Sequence, residues 1–446
     1  MGLNQWRYKV AVKSEEILEA LRVIIDPDFH KDIVSLGFVK NIKINGADVS
    51  FDIELTTPAC PIKNEFQKNA EEAVLALDGV DKVKVNMTAR EVKKDDKNKG
   101  GLEHVNNILA IASCKGGVGK STVAANVARE LASRGFKIGL LDADIFGPSV
   151  PTLFNIHKPE VQADEEKRII PLEKNGMKIM SFGFFLGDSP AILRGPIVSG
   201  YIQQLLTGVL WGELDYLIID MPPGTGDIQL TMTQTIQLNG AVMVTTRQAL
   251  SLVDVAKGIE MFEKVNVPML GVVENMSYFD CDGCGKRHYL FGGDEDNIVT
   301  KKYGLETLMQ IPIKANSGIT GHIDRDYKDP DVVTMVDNIV RAIGKNAFHK
   351  NATPQFSYND DKISFTWPDG TRSEVSNFDL RADCGCAVCV DEYTGEKLLN
   401  RNDIRKDIKP TEIIPLGNYA LKIVWNDGHN SGIYPYKQIH ALEKKL

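Results

Sequence analysis

No stretch of the 446-residue chain reaches the about 18 consecutive apolar residues that a membrane span needs, so no membrane helix is expected. The opening segment MGLNQWRYKVAVKSEE lacks the apolar core of a secretory signal and is too acidic for a transit peptide, which predicts a cytoplasmic protein. A basic block is also missing. Against 60 acidic side chains stand 52 lysines and arginines, a net charge of −8, so neither nucleic acid nor a membrane surface is an expected partner. There is no internal repeat and no low-complexity tract. Cysteine is scarce: there are seven, an odd number in a chain with no export signal, which is not the pattern of a disulfide framework. What is there is ordinary globular material, 43% hydrophobic and 25% charged. The length predicts two to four domains and cores large enough to need no covalent staple.

Charge and periodicity cut the chain into three expected domains, residues 1–95, 102–345 and 353–446. The linker EVKKDDKNKGG (91–101) has no apolar periodicity and ends in two glycines, and a weaker break falls at GKNAFHKNATPQ (344–355). In the first block, Ile17, Leu18, Leu21 and Ile25 share a helical face behind Ser14 as N-cap. Val49, Phe51, Ile53 and Leu55 alternate with polar residues as a strand, a second helix covers 62–77, and 83–85 closes a small α+β domain. In the central block strands alternate with helices: 108–112, a helix after Lys120, 138–141, 216–219, 241–245, a helix from Ser251, and 269–273. That order predicts an α/β fold with a mostly parallel sheet covered on both faces. The last block is expected to be small and β-rich, with hairpins at 363–375, turning at Asp369-Gly370, and at Ala420–Trp425 followed by Asn426–Gly428.

The strongest local signal is SCKGGVGKST, residues 113–122, between an apolar strand and a helix. Gly116, Gly117 and Gly119 allow backbone N–H groups around Val118 to turn toward an anion. Lys120 supplies charge for the outer phosphates, Ser121 is placed to ligate Mg²⁺, and Thr122 completes the string at the helix start. ATP and Mg²⁺ are therefore expected. Two other strands end in carboxylates, Asp142 and Asp144 in LLDADIFGPS and Asp220 in LIIDMPPGTGD. Ligands of open α/β sheets bind outside these carboxyl ends.

Cys114 stands where the usual motif has its first glycine, and Lys115 adds a second lysine. KGGVGKST therefore resembles the deviant Walker A group that includes MinD, ParA and the nitrogenase iron protein. That resemblance implies a nucleotide-sandwich homodimer in which Lys115 reaches the partner's nucleotide. It also implies that Asp220 holds Mg²⁺ through water, that Gly224 senses the γ-phosphate, and that Asp142 or Asp144 positions the attacking water. Asn275, in VENMS, is similar in position to an asparagine that contacts adenine in related ATPases. Cys114 itself is expected to be structural.

Five cysteines form two clusters, CDGC at 281–284 and CGCAVC at 384–389. Cys281 and Cys284 alone are too few for a tetrahedral site. A dimer doubles them to the four thiolates of a 4Fe–4S cluster. Zinc with His288 as third ligand is the alternative reading, with a redox disulfide behind it. The deviant phosphate loop, DADIFGPS, DMPPGTGD and ENMSYF followed by CxxC together resemble the Mrp/ApbC iron–sulfur cluster carrier ATPases over most of residues 104–343. IDPDF (25–29) and TTPACP (56–61) resemble the small assembly domain fused to many of them, with Cys60 just ahead of a helix. The block carrying Cys384, Cys386 and Cys389 resembles the extra domain of the chloroplast high-chlorophyll-fluorescence homologue, where metal binding or client docking is implied. VTTRQALSLVD departs from the pattern, with Arg247 where relatives usually have proline.

By this resemblance the chain is expected to bind a 4Fe–4S cluster at a homodimer interface and transfer it to apo iron–sulfur client proteins, with ATP turnover coupled to hold or release. A positioning ATPase of the MinD/ParA type, an electron-transfer ATPase like the nitrogenase iron protein, and a zinc-stabilised ATPase are the rival expectations. The first of these rests on Tyr436, Ile439, Leu442 and Leu446 lying near one face of the terminal segment.

Overall fold

The computed structural model describes residues 12–89, 98, 100–157, 159–185, 195–290, 305–313, 329–351, 354–367, 371–386, 388–390, 396–416 and 420–443. The chain divides into two compact units. Residues 1–58, 62–89 and 344–446 form one, and residues 59–61 and 90–343 form the other.

Helix α1, Ser14–Leu21, buries Ile17 and Leu21. Its N-cap is Lys13 rather than the expected Ser14, because the Glu16 carboxylate accepts the Lys13 backbone N–H at 2.8 Å. Ile25 does not belong to the helix face; it is exposed in the two-residue strand β1, Ile25–Asp26, which pairs with β2, Lys31–Asp32, while Ile24 turns inward. Strands β3 (Val39–Asn45) and β4 (Asp48–Leu55) are antiparallel, and β5 (Lys82–Ala89) joins β4 in parallel across helix α2, Lys63–Leu75. Val49, Phe51, Ile53 and Leu55 all face inward on β4, and Phe66, Ala70 and Val74 do so at four-residue spacing on α2.

The second unit is built on an eight-stranded sheet. Its strands are β6 (Val105–Ala112), β7 (Ile138–Asp142), β8 (Leu172–Lys174), β9 (Met177–Ser181), β10 (Leu214–Asp220), β11 (Gly240–Thr245), β12 (Met269–Glu274) and, after the hairpin β13 (Phe279–Asp280) and β14 (Arg287–His288), β15 (Thr307–Gln310). The order is β15-β12-β11-β6-β10-β7-β9-β8. Every pairing is parallel except β8 with β9, an antiparallel edge hairpin that the expected strand list did not contain. Alternation along the strands feeds two cores. Ile108, Ala110, Leu217 and Ile219 enter one, beside α5 (Gly195–Thr207), α6 (Asp227–Thr235) and α7 (Ala249–Lys264). Leu109, Ile111, Tyr216 and Ile218 enter the other, beside α3 (Lys120–Ser133), the short α4 (Val150–Leu153) and Met335, Val336 and Ile339 of the long helix Pro330–Asn351. β6 lies between β10 and β11, so its carboxyl end opens where the chain order reverses, the place an open α/β sheet offers a ligand.

The helix Pro330–Asn351 runs through Gly344, where the sequence suggests a break. A helical glycine costs only about 1 kcal/mol, and buried Phe348 carries the amphipathic pattern onward to pack on Phe29, ring centroids 4.5 Å apart. In the C-terminal block β16 (Gln355–Tyr358), β17 (Lys362–Thr366) and β18 (Arg372–Ser376) form one antiparallel sheet, and β19 (Pro410–Leu416), β20 (Ala420–Trp425) and β21 (Gly432–Pro435) form another. The turn expected at Asp369-Gly370 lies outside the described residues. Tyr436 and Ile439 of the terminal helix are buried against this core and Leu442 packs on it, so that amphipathic face is covered by its own block; Leu446 lies outside the described residues. Among the described residues no helix is long and apolar enough to cross a membrane.

Candidate nucleotide site and thiol centres

The loop from Ser113 to Gly119 joins β6 to α3. Gly117 and Gly119 hold φ of 79° and 86°, conformations that penalise a side chain. At Gly119 there is also no room: a Cβ would stand 2.1 Å from Asn275 Nδ2. α3 begins at Lys120, so its unpaired N–H groups point into the loop. Lys120 is 6% exposed, ion-paired with the fully buried Asp220 and 3.3 Å from Ser121 Oγ. Ser121 is half-buried and Thr122 exposed.

Asp220 and Asp142 stand side by side at paired positions of β10 and β7. Burial, together with the Asp220 charge, pushes Asp142 up to about 7. Burial also raises Asp220, against the opposing pull of Lys120. Asp142 is committed locally: it accepts the Val150 N–H at 3.1 Å, the Ser181 hydroxyl at 3.0 Å and the Asp144 N–H at 3.2 Å. Asp144 is half-buried and accepts the Gly147 N–H at 3.2 Å. Gly224, at φ 103°, donates its N–H to the Ser113 carbonyl at 2.9 Å. Asn275 donates through Nδ2 to the Val118 carbonyl at 2.9 Å, so its amide clamps the phosphate loop. Lys115 rests on Asp254 of α7 at 3.2 Å, and that cation, donating to the carboxylate, holds Asp254 below the usual range. Sequence spacing gave no hint of Asp254, since it lies far along the chain from Lys115.

Cys114 faces away from this site. Its sulfur sits 3.9 Å from Met243 Sδ, a Cβ on Gly258 would come within 2.5 Å of it, and burial pushes the thiol up to about 11. Burial of this kind disfavours the thiolate form.

The β13–β14 hairpin presents the CxxC pair. The Cys281 N–H donates to the Lys286 carbonyl at 3.0 Å, and Gly285, at φ 67°, donates to the Cys281 carbonyl at 2.8 Å. Backbone N–H groups of Cys284 and Gly283 aimed at its sulfur hold the Cys281 thiol below its ordinary value. Cys281 is half-buried and Cys284 exposed. His288 is exposed on β14 and does not join them in a three-ligand cluster; among the described residues such a cluster forms only elsewhere. Cys60 is half-buried, two residues before the α2 N-cap Ile62.

The cluster that does form is Cys384, Cys386, Cys389 and His429, whose ligand atoms all lie within 4.8 Å of one another. His429 Nε2 is 3.3, 3.5 and 3.9 Å from the three sulfurs. Zn–S and Zn–N bonds of about 2.3 and 2.0 Å give tetrahedral S···N edges of about 3.5 Å, so the four groups fit one zinc ion. Around them Arg381 donates to Cys389 Sγ at 3.5 Å, Ser431 Oγ lies 3.4 Å from Cys386 Sγ, and Asp427 accepts both the His429 backbone N–H at 2.9 Å and the Arg381 Nε–H at 2.8 Å. His429 escapes a reading of spacing because it follows the β20 turn, 40 residues beyond Cys389, and arrives through sheet pairing.

Residues 104–344 match the family described as NUBPL iron-transfer P-loop NTPase. Residues 14–87 match the iron–sulfur cluster assembly protein family, and residues 355–440 match the gamma-butyrobetaine hydroxylase-like N-terminal family. The chain is 45% identical to the Fe-S cluster assembly factor HCF101, chloroplastic, of Arabidopsis thaliana over 98% of this chain and 84% of that protein. It is 44% identical to the iron-sulfur cluster carrier protein of Synechocystis sp. over 68% of this chain and 87% of that one. A solved nucleotide-binding protein of Archaeoglobus fulgidus, in complex with ADP, is 40% identical and aligns 56% of this chain with 93% of its own at a TM-score of 0.44. A match over more than half the chain and a relative this similar along most of its length show that the chain belongs to the iron-transfer P-loop NTPase family.

Proposed function

We propose that the chain is a Mg-ATP-dependent carrier that holds a 4Fe–4S cluster between two copies of itself and passes it to apo iron–sulfur proteins. The observation that carries this reading is the placement of two thiols, one half-buried and held below its ordinary value and one exposed, on a hairpin that follows β12 and the Asn275 that clamps the phosphate loop. One copy offers two ligands and a homodimer offers four. The expected residue-by-residue roles follow. Gly116, Gly117, Val118, Gly119, Ser121 and Thr122 cradle the phosphates, and Lys120 exchanges Asp220 for the outer phosphates. Asp220 and Ser121 would then hold Mg²⁺, which would neutralise charge on the outer phosphates. Lys115 leaves Asp254 to reach the partner's nucleotide. Asp144 is better placed than Asp142 to orient the attacking water, because Asp142 already accepts three hydrogen bonds from its own fold. Gly224 must release Ser113 to sense the γ-phosphate, and Asn275 takes the adenine.

Three modules share the work: residues 1–95 for cluster assembly with Cys60, 102–345 for the ATPase, and 353–446 closed by zinc on Cys384, Cys386, Cys389 and His429. None of the seven cysteines is in a disulfide, which suits a reducing compartment such as the cytoplasm. Anaerobic reconstitution tests the assignment. The wild type is expected to take up about four irons and four sulfides per dimer, and the C281S/C284S variant none; a full cluster on that variant overturns it.

A further inference from the structure

Arg247 has so far had no role. It lies two residues beyond β11, is 8% exposed, and donates from Nε to the fully buried Glu274 carboxylate at 3.0 Å. Glu274 also accepts from Gln310 Nε2 at 3.2 Å. It ends β12, immediately before the Asn275 that clamps the phosphate loop. On its other side the Arg247 guanidinium stands 5.1 Å from the ring centroid of Tyr289, the residue after β14. Tyr289 packs edge-on to Tyr278, the residue before β13, at 6.1 Å, and is hydrogen-bonded to Arg287. Arg287 lies 3.6 Å over the Tyr278 ring and ion-pairs at 3.0 Å with Asp280, the neighbour of Cys281. One end of the thiol hairpin, Tyr289, thus meets the buried cation directly, the other end, Tyr278, reaches it through the Tyr289 ring, and that cation is paired with the strand end next to the phosphate loop.

We infer that Arg247 is a positioning residue that fixes the CxxC hairpin to the β12 carboxyl end, so that the thiol pair moves with the nucleotide-facing edge. The inference rests on the carrier reading for its purpose, yet the anchoring itself is a property of this chain's side chains. A buried cation with a hydrogen-bonded carboxylate holds its geometry strongly, because breaking the pair strands a charge. A guanidinium adds a flat face that an aromatic ring can meet, which lysine does not. The hairpin has only two residues per strand, and at its base the Ile313 N–H donates to the Tyr278 carbonyl at 2.7 Å.

Residue-resolved alkylation tests this on the full-length chain without any cluster. Protein is treated with N-ethylmaleimide, with and without Mg-ATP, and the modified peptides are counted by mass spectrometry. The double variant R247M/E274Q leaves no orphan charge, and Y289L removes only the ring on the accessible side. In both, the half-buried Cys281 is expected to react about ten-fold faster, equivalent to about 1.4 kcal/mol of local opening, with the already exposed Cys284 following by less. Cys60 and the C-terminal thiols should keep their wild-type rates. In the wild type Mg-ATP should alter the hairpin rates, and in both variants that response should vanish. Hairpin thiols that react at wild-type rates in Y289L, or a wild type indifferent to Mg-ATP, overturn the inference. A failed cluster reconstitution overturns only the carrier reading.

Discussion

Lys115 and Asp254 show how much a single side chain can withhold. Both are about one-third exposed, so solvent screens their ion pair and leaves it weak. That is still enough to bias a lysine whose proposed task lies on another molecule. D254N should lower the protein concentration at which Mg-ATP drives dimerisation; sedimentation velocity over a dilution series measures it, and an unchanged midpoint denies Asp254 the role. The buried carboxylates make a second residue-scale statement. Asp142 is raised from an ordinary aspartate value of 3.8 to about 7, by burial and by Asp220. A group raised in the folded state adds stability that is complete below its unfolded value and is lost as pH climbs through its folded one. The protein should therefore melt higher at pH 6 than at pH 8, and D142N should blunt that difference, a gap readable by calorimetry at about 2–4 °C per kcal/mol.

At the scale of elements, legibility followed how local the determinant is. The parallel strands could be read because burial on both faces writes an unbroken apolar run, as in β6 and β11. The phosphate loop could be read because glycine and helix start are neighbours in sequence. β8 and β9 could not, since LEK and MKIMS are short and their edge pairing leaves little pattern. The α1 cap was misplaced by one residue because Glu16 reaches back to Lys13. His429 was invisible for a different reason: three cysteines announce a metal, but the fourth ligand is chosen by the β20–β21 turn. That site ties the Asn377–Ala382 helix end to the second sheet, inside a block whose single core joins both sheets. Zinc removal should consequently behave as an unfolding event of this block. C389S is expected to lose the one zinc per chain that does not depend on Cys281 and Cys284, and to expose residues 355–440 to protease, at a cost of several kcal/mol. ATP hydrolysis should be unaffected; retention of zinc and protease resistance would dismiss the site.

For the whole molecule the open issue is whether a cluster belongs to one chain or to two, and the geometry makes the alternatives countable. Among the described residues the hairpin offers Cys281 and Cys284 with no third ligand drawn in, His288 included. A site complete in one copy would need a ligand brought from elsewhere in the same chain, and its occupancy would not depend on the neighbour's sequence. A site shared across a two-fold axis needs both pairs of thiols. Wild type and C281S/C284S, unfolded to monomers and mixed in equal amounts before anaerobic reconstitution, separate the two cases. Random pairing leaves about one quarter of the dimers with four thiolates, so a shared cluster should bring iron and sulfide to about one quarter of the wild-type value, whereas a site within each chain should leave about one half. Zinc resupplied during refolding would serve as the internal standard, because the proposed site on Cys384, Cys386, Cys389 and His429 is complete within one chain and should fill equally in every mixture. Iron that falls linearly with the share of variant chain, in step with neither a partner nor a two-fold axis, would require the nucleotide dimer and the cluster site to be separate features of this protein.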